Sequence, residues 1–328
     1  MGLLGLRLRY ITRRLLQTIP MILLVVVLNF LLLKLAPGDA ADVLAGEAAS
    51  ATPEYMTLIR SKFGLDQPAH VQLFKYLKNV LVLDLGHSFR HDMPVLGLIL
   101  ARLGPTLMLM LPTVVLAVGV GSLLGLFAAS RVNRLRDTAI TVFSLVSYAT
   151  PLFWVGLMFI LLFSLRLGWF PTSGMETIGA FREGWDRVLD ITHHLVLPVI
   201  TLSLFYLALY TRLMRAAMLD HARMDYVTTA RAKGLTERRI VFKHVVRNAV
   251  LPVVTMAGVQ FGSLLGGSVV VETVFGWPGL GTLIFESVFA RDLNLLLGIF
   301  LLSAVLVMLM NLVVDVLYSF LDPRIEVR

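Results

Sequence analysis

Long apolar runs constrain this chain more than any other feature. Examples are residues 20–33, 107–129 and 295–309. A helix of about 20 residues, at a rise of about 1.5 Å per residue, crosses a bilayer hydrocarbon core of about 30 Å. Within that core the backbone amides must bond to one another, so each run predicts a membrane-spanning α-helix.

The composition agrees with a membrane protein. Of the 328 residues, 57% are hydrophobic and 15% are charged, whereas a soluble domain has about 25% charged residues. This excludes an ordinary soluble enzyme, a disordered segment and a nucleic-acid binder. The net charge of +8 alone would also be typical of a nucleic-acid binder. The absence of cysteine excludes disulfides, thiolate metal sites and cysteine nucleophiles.

Apolar runs and their polar flanks predict an all-α polytopic membrane protein with six spans. With the termini inside, the inner segments hold 18 Lys/Arg and 7 acidic residues, and the outer segments hold 11 and 14. An excess of Lys/Arg marks the cytoplasmic side, so we predict that both termini are cytoplasmic. The predicted spans are 15–36, 106–130, 139–165, 195–213, 250–271 and 295–320.

The first run also has features of a signal peptide, because it follows Arg13 and Arg14. Its apolar part, however, exceeds the 7–15 residues that are usual for a signal peptide. We therefore predict an uncleaved anchor. The predicted domains are 1–104 (the first span and a small folded outer cap), 105–321 (a five-helix core with a cytoplasmic loop at 214–249) and a tail at 322–328.

The loop between spans four and five contains a short helix signal. Residues 225–234 read Asp-Tyr-Val-Thr-Thr-Ala-Arg-Ala-Lys-Gly. Asp225 can cap the first amides, Lys233 lies near the negative end of the helix dipole, and Gly234 can adopt the left-handed exit conformation. A helix of about two turns is unstable alone, so it needs a surface. Small residues would let it lie close to a partner: Thr229, Ala230 and Ala232.

A second amphipathic segment follows this helix. Arg239, Lys243 and Arg247 recur every four residues, with apolar residues between them. This spacing predicts an interfacial helix that bends at Pro252 into the fifth span.

The loop resembles the "EAA" coupling loop of ABC-transporter permeases, through Ala230, Gly234 and the downstream Leu251-Pro252. In closer detail the chain is similar to the dipeptide/oligopeptide/nickel permease family. Thr228 replaces the glutamate of the general motif, and the gap to Leu251 is longer, as is typical of that branch. The family's short motifs occur in order as Arg13-Arg14-Leu15, Pro37-Gly38-Asp39, Leu65-Asp66-Gln67-Pro68, residues 84–88, Asp225-Tyr226, residues 229–235, residues 247–249, Leu251-Pro252, residues 275–281, Arg291-Asp292 and residues 321–325.

This resemblance implies a type I ABC importer permease fold in a bacterial cytoplasmic (inner) membrane. It also implies a second homologous permease, two cytoplasmic ATPase subunits that bind ATP and Mg, and an extracytoplasmic solute-binding protein. The chain lacks a G-x-x-x-x-G-K-[ST] loop and the motifs H-E-x-x-H and G-x-S-x-G. We therefore expect no catalytic residue, metal site or cofactor in this chain. The expected ATPase contacts are Asp225, Thr229, Ala230, Arg231, Lys233 and Gly234.

The fifth span has one glycine per turn, at Gly258, Gly262 and Gly266. Such spacing favours close helix packing, and the same is expected of Gly121 and Gly125. Alternatively, the fifth-span face lines a translocation path. In that case Gln260 and Ser263 would be its polar members.

Residues 275–281 predict a turn around Pro278-Gly279 beside two aromatic residues. One interpretation is an interfacial turn, since tryptophan favours the depth of the lipid headgroups. By the family resemblance, the turn faces the binding protein. The residues concerned are Phe275, Trp277, Pro278 and Gly279.

Three further features involve ionisable side chains. His87 and His91 have a spacing that could hold a metal if the segment were helical, but Gly86 and Pro94 favour a solvated loop. His193 and His194 lie at a predicted membrane edge. Asp315 lies within an apolar run. One interpretation is a functional ionisable group, and the other is a hydrogen-bonded or snorkelling side chain.

The sequence leaves the solute open. Peptides, nickel chelates and other small solutes remain alternatives, as does an ATP-independent secondary transporter. The last would predict inverted repeats and several buried ionisable residues, and only Asp315 is a candidate for such a residue. A membrane enzyme and a non-transporting scaffold are further rivals.

Overall fold

The computed structural model describes residues 3–35, 57, 61, 66–88 and 90–321. Most of these residues are helical. A two-stranded antiparallel hairpin pairs β1 (His87–Ser88) with β2 (Met93–Pro94). The α-helices are α1 (Leu3–Leu35), α2 (Ala69–Leu81), α3 (Val95–Ala129), α4 (Leu135–Ala149), α5 (Leu152–Phe159), α6 (Gly184–Ala222), α7 (Asp225–Ala232), α8 (Glu237–Ile240), α9 (Val246–Phe275), α10 (Leu280–Phe289) and α11 (Leu293–Leu321).

Among the described residues, four helical segments are long and apolar enough to cross a membrane, or up to six if each of two bent helix pairs is one span. A mostly helical chain with several apolar helices is thus confirmed. The candidate spans are not the same set as the predicted six. They include the bent pair Ser268–Phe275 with Leu280–Phe289, while the described apolar part of α1 is the shorter stretch Leu16–Leu32.

The predicted third span, 139–165, is not one straight helix. The segments Leu135–Ala149 and Leu152–Arg166 meet at a bend of 100°. Thr150 has extended dihedral angles, φ −79° and ψ 131°. Pro151 causes this break, because it disfavours the helical conformation of the residue before it and provides no amide hydrogen.

Two further helices extend beyond the limits of the predicted spans. Helix α9 continues through Pro252, and the irregular part of the chain lies earlier, in the π-helical segment Val241–Val245 between α8 and α9. Helix α3 begins at Val95, well before the predicted residue 106. Part of the predicted outer segment is therefore the first turns of a helix.

Contacts divide the chain into two compact units, the first formed by residues 1–102 and 284–309. Within it, the Asn29 side-chain amide donates to the Leu297 carbonyl oxygen (3.1 Å), and the Ser88 hydroxyl donates to Asp292 Oδ2 (2.5 Å). The described part of the predicted outer cap includes α2, the hairpin and the first turns of α3. Residues 36–56, 58–60, 62–65 and the tail 322–328 lie outside the described residues.

The second unit, residues 103–283 and 310–328, contains one large apolar core. Helix α6 is its main contributor, through residues such as Leu202, Tyr210 and Met214. Helix α3 approaches α6 closely because Gly121 and Gly125 lie between them. A Cβ atom on Gly121 would lie 2.8 Å from Tyr210 Cβ, which confirms that this glycine pair serves packing.

Candidate functional site

The short helix predicted between spans four and five is present as α7 (Asp225–Ala232). Gly234 follows it with φ +74°, the left-handed exit that the sequence predicted. The predicted cap is wrong, because Met224 occupies the N-cap position and no side chain caps the helix. Asp225 is instead the first helical residue, where its carboxylate still interacts favourably with the positive end of the helix dipole.

The surface that α7 rests on belongs to this chain. Val227 and Ala230 are buried, and both join the core cluster that contains Met214 and Met218 of α6. Burial of these two side chains in the apolar core therefore stabilises a helix that would not form alone. Ala230 was expected to contact an ATPase. In the structure it is buried in the core, and its contact with an ATPase stays a prediction.

The other expected contact residues form an exposed face of α7 and its exit. The Arg231 guanidinium donates to both Glu237 carboxylate oxygens, from Nε at 2.7 Å and from Nη2 at 3.2 Å. These hydrogen bonds raise the pKa of Arg231, so the group remains charged. The exposed residues, which together offer a polar surface with both signs of charge, are Asp225, Thr229, Arg231, Lys233 and Gly234.

The segment after α7 has the predicted amphipathic character. Arg239, Lys243 and Arg247 are exposed, while Ile240 and Val245 are buried in the core. A shallow cavity of about 450 Å³ lies on the basic side, and it is lined by Thr236, Arg238, Arg239, Phe242 and Lys243. This surface can bind an acidic partner or anionic headgroups.

The turn at residues 275–281 is not an exposed docking loop. Phe275 and Trp277 are buried, and Gly279 is too. The Trp277 indole Nε1 donates to the Pro105 carbonyl oxygen at the start of the second unit (2.8 Å). Within the turn, Gly276 is exposed and Pro278 is partly exposed. Phe275, Trp277 and Gly279 pack inside this chain, and contact of the turn with a binding protein stays a prediction.

Glu272 is a buried residue that the sequence reasoning missed. Its carboxylate accepts hydrogen bonds from the Thr106 hydroxyl (2.9 Å) and from the amides of Gly281 (2.6 Å) and Thr282 (3.1 Å). The Leu280 amide in turn donates to Thr106 Oγ1 (2.7 Å). The side chains of Thr106 and Glu272 thus satisfy the first amides of α10. These hydrogen bonds lie at the 83° bend between Ser268–Phe275 and Leu280–Phe289. The available signal was an acidic residue at the very end of an apolar run.

The proposed path-lining residues are only partly described. Gly258 is buried within α9 and Gln260 is half-buried. Gly262, Ser263 and Gly266 lie in the same helix, but their side-chain surroundings are outside the described part of the chain. The same holds for Asp315 in α11.

His87 and His91 lie in and after the first strand of the hairpin, not on a helix. His87 Nε2 lies 3.2 Å from Asp92 Oδ1, and His91 Nδ1 lies 3.1 Å from the Ser88 hydroxyl. His193 Nε2 lies 2.7 Å from the Trp169 carbonyl oxygen, and His194 is buried beside Asp190. Within the described residues, no group of three or more potential metal-ligating side chains occurs.

Family comparison defines the class of this protein. Residues 121–327 match the family described as "Binding-protein-dependent transport system inner membrane component", and residues 7–110 match its N-terminal family. The chain therefore belongs to this family of multi-pass membrane components of transport systems.

Particular relatives narrow the class. The chain is 43% identical, over 97% of its length and 99% of the relative's, to the oligopeptide transport system permease protein AppB of Bacillus subtilis. It is 41% identical to the glutathione transport system permease protein GsiC of Salmonella paratyphi A, over 98% and 100%. The resemblance to peptide-transport permeases is confirmed.

A solved structure shares the fold. A chain of the inward-facing MetNI methionine ABC transporter superposes with a TM-score of 0.54 at 16% identity. The match covers 69% of this chain and 97% of that chain. The permease fold thus accounts for about two thirds of the protein.

Proposed function

We propose that this protein is the membrane-spanning permease subunit of an ATP-driven importer of di- or oligopeptides. Helix α7 carries the proposal, because its apolar side is fixed in the core and its polar side is exposed. A partner that displaces α7 would therefore act on the core that α7 shares with α6. The names of the relatives, oligopeptide and glutathione permeases, support peptides as the solute.

In this proposal the chain has six spans and cytoplasmic termini, as the charge distribution suggests. One chain offers one coupling helix, so the working unit would pair it with a second, homologous permease. Two cytoplasmic ATPase subunits would bind ATP and Mg, and an extracytoplasmic binding protein would deliver the solute. Closure of the ATPases would move the coupling helices and switch the helix bundle between outward and inward access.

Reconstitution in vesicles with a second permease, the ATPase subunits and the binding protein tests the proposal. We expect uptake of labelled peptides that requires ATP, the ATPases and the binding protein together. Uptake by this chain without ATP would contradict it and favour a secondary transporter. Mass spectrometry of the ligand that copurifies with the binding protein identifies the solute, and a metal chelate there would contradict peptide specificity.

A further inference from the structure

A partly buried ion pair joins α4 to α6 near the start of the coupling segment. Arg215 Nε donates to Asp137 Oδ1 (2.7 Å), and Arg215 Nη2 donates to Asp137 Oδ2 (2.8 Å). The Asp137 residue is only 4% exposed, and it also accepts a hydrogen bond from the Asn133 amide (2.9 Å). This two-point contact fixes the distance and the relative orientation of the two helices.

Arg215 lies on the part of α6 that leads to the coupling helix. Helix α6 ends at Ala222, and α7 begins at Asp225. Val227 of α7 shares one core cluster with Met214 and Met218, which lie on either side of Arg215 in sequence. The link of two residues and the shared apolar core therefore connect a displacement of α7 to this end of α6.

Helix α3 is in close contact with the same end of α6. A Cβ atom on Gly125 would lie 2.6 Å from the Thr211 carbonyl oxygen and 3.0 Å from the Arg215 amide nitrogen. Residues 130–134 then lead to α4, where Asp137 occupies the first turn. Close packing holds α3 on α6, and the ion pair holds α4 on the same turn of α6.

A buried ion pair adds little net stability compared with apolar residues of the same shape, but its geometry can specify one arrangement. We infer that Asp137 and Arg215 are positioning residues that make α4 move together with α6 when the coupling helix is displaced. This inference rests on the proposed function. It concerns transmission within the permease and does not concern solute recognition.

The test compares two variants that each remove a buried carboxylate from an ion pair with arginine. Asp137→Asn breaks the inferred link, and Asp190→Asn is the matched control, since Asp190 is equally buried and pairs with Arg182 (2.8 Å) at the opposite end of α6. In the reconstituted complex we expect Asp137→Asn to raise the ATP hydrolysed per peptide transported by about tenfold, within the usual range of a coupling interaction. We expect Asp190→Asn to leave this ratio unchanged.

Arg215→Lys is a second variant that keeps the positive charge but replaces the planar fork with a single ammonium group. We expect its ratio to rise as well. Unchanged ratios in both Asp137→Asn and Arg215→Lys would overturn the inference, and so would an equal rise in Asp190→Asn. A parallel loss of ATP hydrolysis and uptake, at an unchanged ratio, would show a merely structural role and would also overturn it.

A distance measurement provides a readout that is independent of transport. The chain has no cysteine, so spin labels attach only at introduced sites such as Thr138→Cys and Ala216→Cys, which are exposed positions on α4 and α6. We expect the distance between labels to stay constant on ATP addition in the otherwise unaltered complex, and to change when Asp137→Asn is present. A constant distance in both would overturn the inference.

Absence of ATP-dependent uptake by the unaltered complex would overturn the proposed function itself, so the two failures are distinguishable.

Discussion

At the scale of single residues, Gly121 and Gly125 of α3 determine how closely that helix lies against α6. Gly125 is in contact with the α6 backbone, whereas Gly119, in the same helix, has no atom within 4 Å of where a Cβ would be. Gly119 and Gly125 share a helical conformation but differ in their neighbours. Alanine substitutions at these two positions therefore separate the effect of packing on stability from the effect of helix propensity.

We predict that Gly125→Ala destabilises the protein by about 1–3 kcal/mol, because the added methyl group would overlap Thr211 and Met214. Gly119→Ala is the control, and it should be neutral or stabilising by up to about 1 kcal/mol, since alanine favours helix. Chemical unfolding of the purified variants in detergent measures both changes. Equal stabilities would contradict the described approach of α3 to α6.

At the scale of elements, α7 has one face that belongs to the core and one that does not. Ala230 and Ala232 are chemically identical and lie two residues apart, but Ala230 is buried and Ala232 is exposed. A charged substitution should therefore have different consequences at the two positions. The difference distinguishes anchoring of the helix from contact with a partner.

We predict that Ala230→Glu lowers the yield and thermal stability of the protein, because it places an unpaired carboxylate in the core. Ala232→Glu should leave the folded protein unchanged but reduce ATP-dependent uptake. Thermal unfolding of the purified chain and uptake by the reconstituted complex measure the two effects. Wild-type uptake by Ala232→Glu would argue against docking of a partner on this face, and a fully stable Ala230→Glu would argue against its burial.

Proline residues show how far element boundaries depend on packing. Pro151 ends a helix with a bend of 100°, but Pro105, Pro112, Pro198 and Pro252 all lie inside continuous helices. Within a helix bundle, neighbouring helices and polar side chains can satisfy the carbonyl that a proline leaves free. The sequence pattern alone does not separate these two outcomes.

At the scale of the whole molecule, the proposed topology places α7 and the segment between α5 and α6 on opposite sides of the membrane. Ile178 in that segment and Thr229 in α7 are both exposed. Because the natural chain has no cysteine, single introduced cysteines report on each side without background labelling.

We predict that Ile178→Cys reacts with a membrane-impermeant maleimide in intact cells. Thr229→Cys should react only after the cells are made permeable, because the positive-inside rule places it in the cytoplasm. Gel-shift analysis of the labelled protein distinguishes these cases. Labelling of Thr229→Cys in intact cells would reverse the proposed orientation.

The sequence by itself determined the class of this protein. Apolar runs longer than a soluble helix requires, a strong charge asymmetry and ordered short motifs fix a helical membrane component of a transport system. Local signals also placed α7 and its glycine exit correctly. Each of these depends on residues near one another in the chain, so no tertiary contact is needed to read them.

Only the tertiary structure decided which side of each local element is available. It directed Ala230, Phe275 and Trp277 into the interior, placed Glu272 at the first amides of α10, and brought Asp137 to Arg215 across 78 residues of sequence. Burial and ion pairing depend on neighbours that are distant in sequence. Local periodicity identifies a polar or an apolar face, but packing alone determines what that face meets.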